Sequence, residues 1–384
     1  MTIIESSPRD PSSTPAGGSP LRIGVVAPPW FELPPTGYGG TEAVVAALVD
    51  QLVAFGHQVT LIASGPAKTK AQRQVTVYEK PPSRLLGHST MPEVIIAAEA
   101  ARVLTSDDFD IIHDHSLAGP LLAVARTIPT VVTMHGPVTG DNGDYFRRLG
   151  TAVDLVAISD SQRLLAPTLN WAGTVHNAVD VDSFPYRADK DDYVLWIGRF
   201  HPDKGAHLAI DAARAAGRRI VLAGKLNERD EHEYFDKAVR PKLARDAEYL
   251  GEADARLKRE LFAGARCLVF PIQWDEPFGM VMIEALASGT PVVATRRGSV
   301  PEIVEDGRTG WVVDDLAELP AAIERAGQLD PAECRASART RFDLPVMGRG
   351  YDRIYRALVE TPSNTRRTAI DAAALQAWGR HAAG

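Results

Sequence analysis

Glu276 and Glu284, eight positions apart with Phe278 and Gly279 between them, are the residues of this chain whose types and spacing could do chemistry. Cys267-Leu268-Val269-Phe270 reads as a buried parallel strand and Met280 to Ala287 as an apolar helix stopping at Gly289, which makes a strand-loop-helix unit. The amides of Phe278, Gly279 and Met280 fall at the start of that helix. There N–H groups lack an intrahelical partner and the helix dipole is positive, a setting that suits a phosphate. Glu276 falls in the loop. Glu284 lies between Val281-Met282-Ile283 and Ala285-Leu286-Ala287, and a charge in so apolar a run needs a partner or a ligand. Two acids and a set of free amides would then share a crevice at the carboxyl end of a strand, where open α/β sheets bind ligands. Spacing alone leaves the plainer alternative open, with Glu276 a helix N-terminal charge and Glu284 a solvated position.

Further candidates come from other strand ends. Tyr193 to Ile197 reads as a buried strand followed by Arg199 and Lys204 around a turn, where two cations can bracket an anion, Arg by its fork and Lys as a point charge. Thr130 to Met134 delivers His135 into a glycine-containing loop; on residue type alone such a histidine reads as structural. Asp110 to His115 ends in His113-Asp114-His115, but alternation puts the two imidazoles on one face and the carboxylate on the other, so a metal site is not expected. One imidazole is expected to line a cleft and the other to be structural. Between the first strand, Leu21 to Ala27, and a helix from Thr41 to Ala54 runs a long loop containing Gly37, Gly39 and Gly40, which lets backbone approach a ligand. Thr41 is the expected helix cap, with Glu42 just inside it.

Glu276-Pro277-Phe278-Gly279, Glu284-Ala285 and Gly289-Thr290-Pro291-Val292-Val293 resemble the E-x7-E signature of the retaining family-4 glycosyltransferases, and the likeness continues through Gly298, Pro301-Glu302-Ile303-Val304 and Asp306 to Trp311. Gly39-Gly40-Thr41-Glu42 resembles the family's Gly-Gly-x-Glu element, Thr133-Met134-His135-Gly136 its Thr-x-His-Gly segment, and Gly198-Arg199 with Lys204-Gly205 its pair of diphosphate-binding cations. Asn177-Ala178-Val179-Asp180 departs from the family's Asn-Gly-Val-Asp by an alanine, and His176 stands where the family has proline. The resemblance implies a GT-B fold, two doubly wound Rossmann-like domains facing a cleft. It implies retaining transfer of a hexose-type sugar from a nucleotide diphosphate sugar, commonly a UDP-sugar, to an acceptor hydroxyl, without a metal or a separate cofactor. By the same resemblance Glu276, Arg199, Lys204 and His135 carry the reaction, with His135 positioning the sugar rather than acting as general base. Gly39, Gly40, Phe278, Gly279, Met280 and Glu284 hold the donor, Glu284 through the ribose, and Gly224, Leu250 and Gly251 surround the base. An epimerase of nucleotide sugars and a non-catalytic sugar-nucleotide-binding subunit are the alternatives.

Size and composition set the frame. At 384 residues the chain suits two domains. The expected division is 1–20 disordered, 21–186 an acceptor domain, 187–345 a nucleotide-sugar domain, and 346–384 a helix returning to the first domain with a tail. Hydrophobic content of 45% with 24% charged residues is that of a globular protein, and a net charge of -7 without basic runs argues against nucleic acid. Cys267 and Cys334 are the only cysteines, so neither disulfides nor a zinc cluster is expected. The absence of a membrane-length apolar run or a secretion signal points to the cytoplasm. The acceptor, whether glycan, lipid-linked or small molecule, and peripheral membrane association stay open. Residues 225–246 are expected to form a solvated, highly charged helix beside the site.

Overall fold

Thirteen β-strands, all paired in parallel, form two sheets in the computed structural model, which describes residues 18–37, 39–106 and 108–360. The first sheet contains β1 (Arg22–Val26), β2 (Gln58–Ala63), β3 (Arg73–Thr76), β4 (Ile111–Asp114), β5 (Thr130–Met134), β6 (Asp154–Ala157) and β7 (Trp171–Thr174), ordered β3-β2-β1-β4-β5-β6-β7. The second contains β8 (Tyr193–Ile197), β9 (Arg219–Ala223), β10 (Ala247–Tyr249), β11 (Cys267–Phe270), β12 (Val292–Thr295) and β13 (Gly310–Val313), ordered β10-β9-β8-β11-β12-β13. Counted from its own first strand, each sheet follows the doubly wound order 3-2-1-4-5-6. The order reverses between β1 and β4 in one sheet and between β8 and β11 in the other, and those are the places where a crevice opens at the carboxyl ends.

Central strands such as Val-Leu-Trp-Ile and Cys-Leu-Val-Phe are apolar throughout because helices cover both faces of a parallel sheet. The edge strands β3 and β7 have one open side and carry Arg73, Gln74, Thr76 and Ala172 to solvent. The core divides accordingly: separate buried clusters lie on the faces of each sheet, among them one around Ile23, Leu48 and Leu61 and one around Leu268, Phe278 and Ile283.

The helix Leu344–Glu360 follows the second domain in sequence but packs on the first. Tyr355 Oη lies 2.6 Å from His113 Nδ1, and Tyr351 Oη 2.8 Å from Thr133 Oγ1, both inside the first domain. His57 Nδ1 accepts from Leu21 N, so its Nε2 carries the proton and donates to Asp352 at 3.0 Å. The domains are joined more directly as well. Glu302, behind the second sheet's crevice, accepts from the amides of Asp160 and Ser161 at 2.8 and 2.6 Å and lies 3.2 Å from His176 Nε2.

Two local expectations are corrected. Thr41 does not cap its helix: the helix runs Gly40–Ala54, its N-cap is Gly39 at φ 144, and no side chain accepts there, because the glycine-rich turn brings the chain in at an angle closed to threonine. Residues 225–246 are not one solvated helix. They break into Arg229–Tyr234, a wide turn Phe235–Val239 and a tight turn Arg240–Lys242, since Tyr234, Phe235 and Val239 are drawn into the core against Phe200. Of the start expected to be disordered, 1–20, residues 1–17 lie outside the described ones, as does the tail 361–384, while Ser19 O accepts from Arg356 Nη1 at 3.1 Å.

Candidate active site

Lys204 and Glu276 meet across two strand ends. Lys204 follows β8 in a single tight turn, Pro202–Lys204, that closes through Gly205 at φ 69, where an added Cβ would strike the Pro271 carbonyl. Gln273 N donates to Asp203 O at 2.8 Å, and the turn after β8 is thereby fastened to the loop after β11. With the backbones so held, Lys204 Nζ donates to Glu276 Oε2, Trp274 Nε1 donates to the same oxygen at 3.0 Å, and the ammonium sits 5.2 Å from the centre of the Trp274 ring. The pair is largely buried, with side chains 20% and 12% exposed.

The helix Met280–Ala287 begins beside this pair. Gly279 adopts φ 80, a left-handed turn that aims the first amides of the helix into the crevice. A cavity of about 260 Å³ is lined by Glu276, Phe278, Gly279 and Met280 on one side and by Gly40, Thr41, His135 and Asn177 on the other. Glu276 is the only carboxylate on its wall among the described residues. The cavity thus offers free amides and a carboxylate, itself bonded to Lys204, on the second domain, faced by glycine backbone and an imidazole on the first.

The remaining expected site residues fall in four places. Gly39, with Gly40 and His135, borders an adjoining chamber of about 310 Å³. Gly224, Leu250 and Gly251 meet at the ends of β9 and β10, where Gly224 N donates to Gly251 O at 3.0 Å and Tyr249 Oη to Gly224 O at 2.9 Å. Arg199 is exposed at the end of β8 and, unlike Lys204, forms no ion pair among the described residues. Glu284 sits deeper along its helix, with Oε1 2.6 Å from Lys258 Nζ and Oε2 buried without a hydrogen-bond partner. A charge in that apolar helix does have a partner, and half of its carboxylate is left for a ligand.

Lys258 and Trp274 were not singled out from sequence, because each lies in a segment whose surface charge or loop position is unremarkable by itself. Of the two imidazoles at the end of β4, one of which was expected to line a cleft, His115 is the one on a cavity wall. Its Nδ1 lies 2.9 Å from His135 Nε2, while its Nε2 is buried without a partner and faces the larger chamber. His113, two residues earlier on the same face, is held by Tyr355 and by Thr133 Oγ1 at 2.7 Å. Burial holds all three imidazoles below the usual histidine range, His135 at about 4, so they act as neutral hydrogen-bonding groups.

Glu42 lines the larger chamber and is buried, and apart from its own N–H its carboxyl has no partner among the described residues. Burial, aided by the charge of Glu93, raises it to about 7. Because the folded value lies above the unfolded one, the folded chain binds the extra proton, and stability falls as pH rises from about 4.5 through 7. Glu42→Gln is therefore expected to melt higher than the parent protein at pH 8, by up to about 3 kcal/mol, with the gap closing by pH 4.5. Thermal melts of both proteins across that range check it; a gap independent of pH would contradict the assignment.

The geometry has counterparts among known proteins. Residues 180–340 match the family described as glycosyl transferases group 1, and residues 38–187 match glycosyltransferase family 4. A phosphatidyl-myo-inositol mannosyltransferase of Mycobacterium tuberculosis is 30% identical over 335 residues, covering 79% of this chain and 85% of that protein. A glycogen synthase of the same organism is 27% identical over 374 residues, covering 83% and 89%. Among solved structures, AviGT4, a glycosyltransferase involved in avilamycin A biosynthesis, superposes with a TM-score of 0.70 at 27% identity, covering 89% of this chain and 99% of that one.

Proposed function

The chain belongs to the group 1 glycosyltransferases of family 4 type, GT-B enzymes that use nucleotide sugars, and from that premise we propose that it transfers a hexose-type sugar from a UDP-sugar with retention and without a metal. One observation carries the reading: Glu276, bonded to Lys204, and the amino end of the Met280–Ala287 helix meet on the wall of one cavity opposite His135. Cleavage at the anomeric carbon leaves negative charge on a diphosphate, and Lys204 with the amides at Gly279 and Met280 offsets that charge where it grows. Arg199 joins them from the end of β8. Glu276 and His135 hold the sugar's hydroxyls from opposite walls, the free oxygen of Glu284 takes the ribose, and Gly224, Leu250 and Gly251 frame the base.

Retention follows from attack on the face the diphosphate leaves. The bond from the anomeric carbon to the phosphate oxygen breaks as one to the acceptor oxygen forms, and the acceptor's proton passes to the departing phosphate oxygen. Retaining glycosidases instead place a second carboxylate on the opposite face as nucleophile; the wall opposite Glu276 offers glycine backbone, Thr41, His135 and Asn177. The two buried free thiols, Cys267 and Cys334, fit a reducing, cytoplasmic setting.

A ligand that binds only the folded form raises the melting temperature. UDP, GDP, ADP and their sugars are to be screened this way, with UDP and a UDP-sugar expected to give the largest shifts. A set of nucleotides that leaves the melting temperature unmoved would overturn the reading, and a dominant shift with GDP or ADP would overturn its uridine part.

A further inference from the structure

Three imidazoles adjoin at the paired ends of β4 and β5, where His115 Nδ1 lies 2.9 Å from His135 Nε2 and the ring centres of His113 and His115 are 3.9 Å apart. His113 is fixed from both sides by hydroxyls, Tyr355 Oη at Nδ1 and Thr133 Oγ1 at Nε2, and the Tyr351 ring packs on it at 4.9 Å. A strut therefore runs from the helix Leu344–Glu360 through His113 and His115 to His135, which lines the donor cavity. With Nε2 taken by His115, Nδ1 is the ring nitrogen left to His135 for a ligand.

The number of protons fixes what that nitrogen can offer. Burial keeps His115 and His135 neutral, so each ring carries one proton. Two arrangements put one of those protons in the contact between them. In the first, His135 Nε2–H donates to His115 Nδ1, and the proton of His115 sits on its own Nε2. That nitrogen is buried without a partner among the described residues, so the first arrangement strands an N–H. In the second, His115 Nδ1–H donates to His135 Nε2, His115 Nε2 buries only a lone pair, and the proton of His135 sits on Nδ1. A buried N–H without an acceptor is rarer than a buried acceptor without a donor, which favours the second.

We propose that His115 is a positioning residue for glycosyl transfer: its Nδ1–H holds the His135 ring at Nε2 and sets the tautomer in which His135 presents Nδ1–H, a donor, to an oxygen of the sugar. His113 and Tyr355 act through it, by keeping the His115 ring in place. Glu276 is an acceptor on the opposite wall, so with His135 as a donor the two side chains do not compete for the protons of the sugar's hydroxyls. This rests on the glycosyltransferase reading, which puts a sugar against His135 and says nothing of how the imidazole is held.

The test uses the full chain with its ten histidines labelled with nitrogen-15, and nitrogen spectra at neutral pH that tell protonated from bare ring nitrogens. His115→Asn and His135→Asn assign the two rings by the signals each removes. Both Nδ1 atoms are expected to be protonated and both Nε2 atoms bare; a proton on Nε2 of either ring would overturn the assignment. Kinetics supply the second arm. His115→Phe keeps a ring against His113 but removes the bond, and should lower kcat roughly 10- to 100-fold, the usual cost of losing the group that orients a functional imidazole, with UDP affinity unchanged. His115→Asn loses the ring but returns an N–H near the place of Nδ1, and should turn over faster than His115→Phe although it melts lower. A merely structural role would make kcat follow stability, and that order, or parental kcat in His115→Phe, would overturn the proposal. Should His115→Phe fail to fold, the spectrum of the parent still decides. A parent that turns over no nucleotide sugar would instead bring down the glycosyltransferase reading, while the spectrum reports the tautomers independently.

Discussion

Glu276→Gln and Lys204→Met are each expected to lower kcat by roughly 100- to 1000-fold, the usual loss when one preorganised group is taken from a site where charge develops. The two side chains share one contact in the free enzyme, and their changes should divide differently between the kinetic constants. In the proposed mechanism Lys204 faces charge that is present in the bound diphosphate and grows as the bond breaks, so its loss should weaken UDP binding as well as turnover. In the same mechanism Glu276 orients the sugar, so its loss should fall mainly on kcat and leave UDP affinity near that of the parent. Because Lys204, Glu276 and Trp274 form one unit, the double variant should lose far less than the product of the two single losses. Steady-state kinetics of the three variants with the donor found by the nucleotide screen, together with UDP titrations, settle it. Turnover within threefold of the parent in Lys204→Met would remove the cation from the mechanism.

Much of this pair was legible in the sequence because both residues sit beside glycines and apolar strands that announce strand ends: Gly198 and Gly205 around Lys204, and Phe270 and Gly279 around Glu276. What sequence could not supply was the contact between them, which depends on β8 and β11 being neighbours although 69 residues separate Ile197 from Cys267. The partner of Glu284 was hidden for a similar reason. An apolar helix showed that the carboxylate needed one, but Lys258 belongs to a neighbouring helix whose charges otherwise look solvated.

The edge strands β3 and β7 were missed because alternation and apolar runs mark strands covered on both faces, and Arg73–Thr76 and Trp171–Thr174 are not. His115 shows the remaining limit. Strand alternation placed it correctly on the face of His113, yet its free Nε2 and its contact with His135 arise only where β4 and β5 end side by side. Residue type and spacing therefore found residues that the fold brings to one cavity, Glu276, Phe278, Gly279 and His135 among them, and the structure was needed for the groups that hold them and for the chamber next door.

Gly298→Ala should be nearly as damaging as loss of Glu276 itself, although residue 298 has no side chain to contribute. Gly298 adopts φ 52, and a Cβ built there would overlap the backbone N and O of Glu276 and lie 2.7 Å from the Asp275 carbonyl carbon. Its turn also clamps the catalytic loop, since Ser299 N donates to Glu276 O at 3.0 Å and Ser299 Oγ to Phe278 O at 2.7 Å. A methyl group must push that loop away, and a displacement of about 1 Å at a positioned group can cost on the order of 100-fold in rate. Left-handed strain by itself costs only about 1 kcal/mol, so strain and displacement can be separated by a control. Gly307 has a similar φ of 75, but its added Cβ would meet nothing nearer than the Trp311 ring at 3.6 Å. Gly307→Ala should lower the melting temperature by a few degrees and keep kcat, whereas Gly298→Ala should lose at least about 100-fold in kcat with the protein still folded at the assay temperature. Equal kcat in the two variants would mean that the turn at 298 does not set the position of Glu276, and the carboxylate would then have to be held by Lys204 and Trp274 alone.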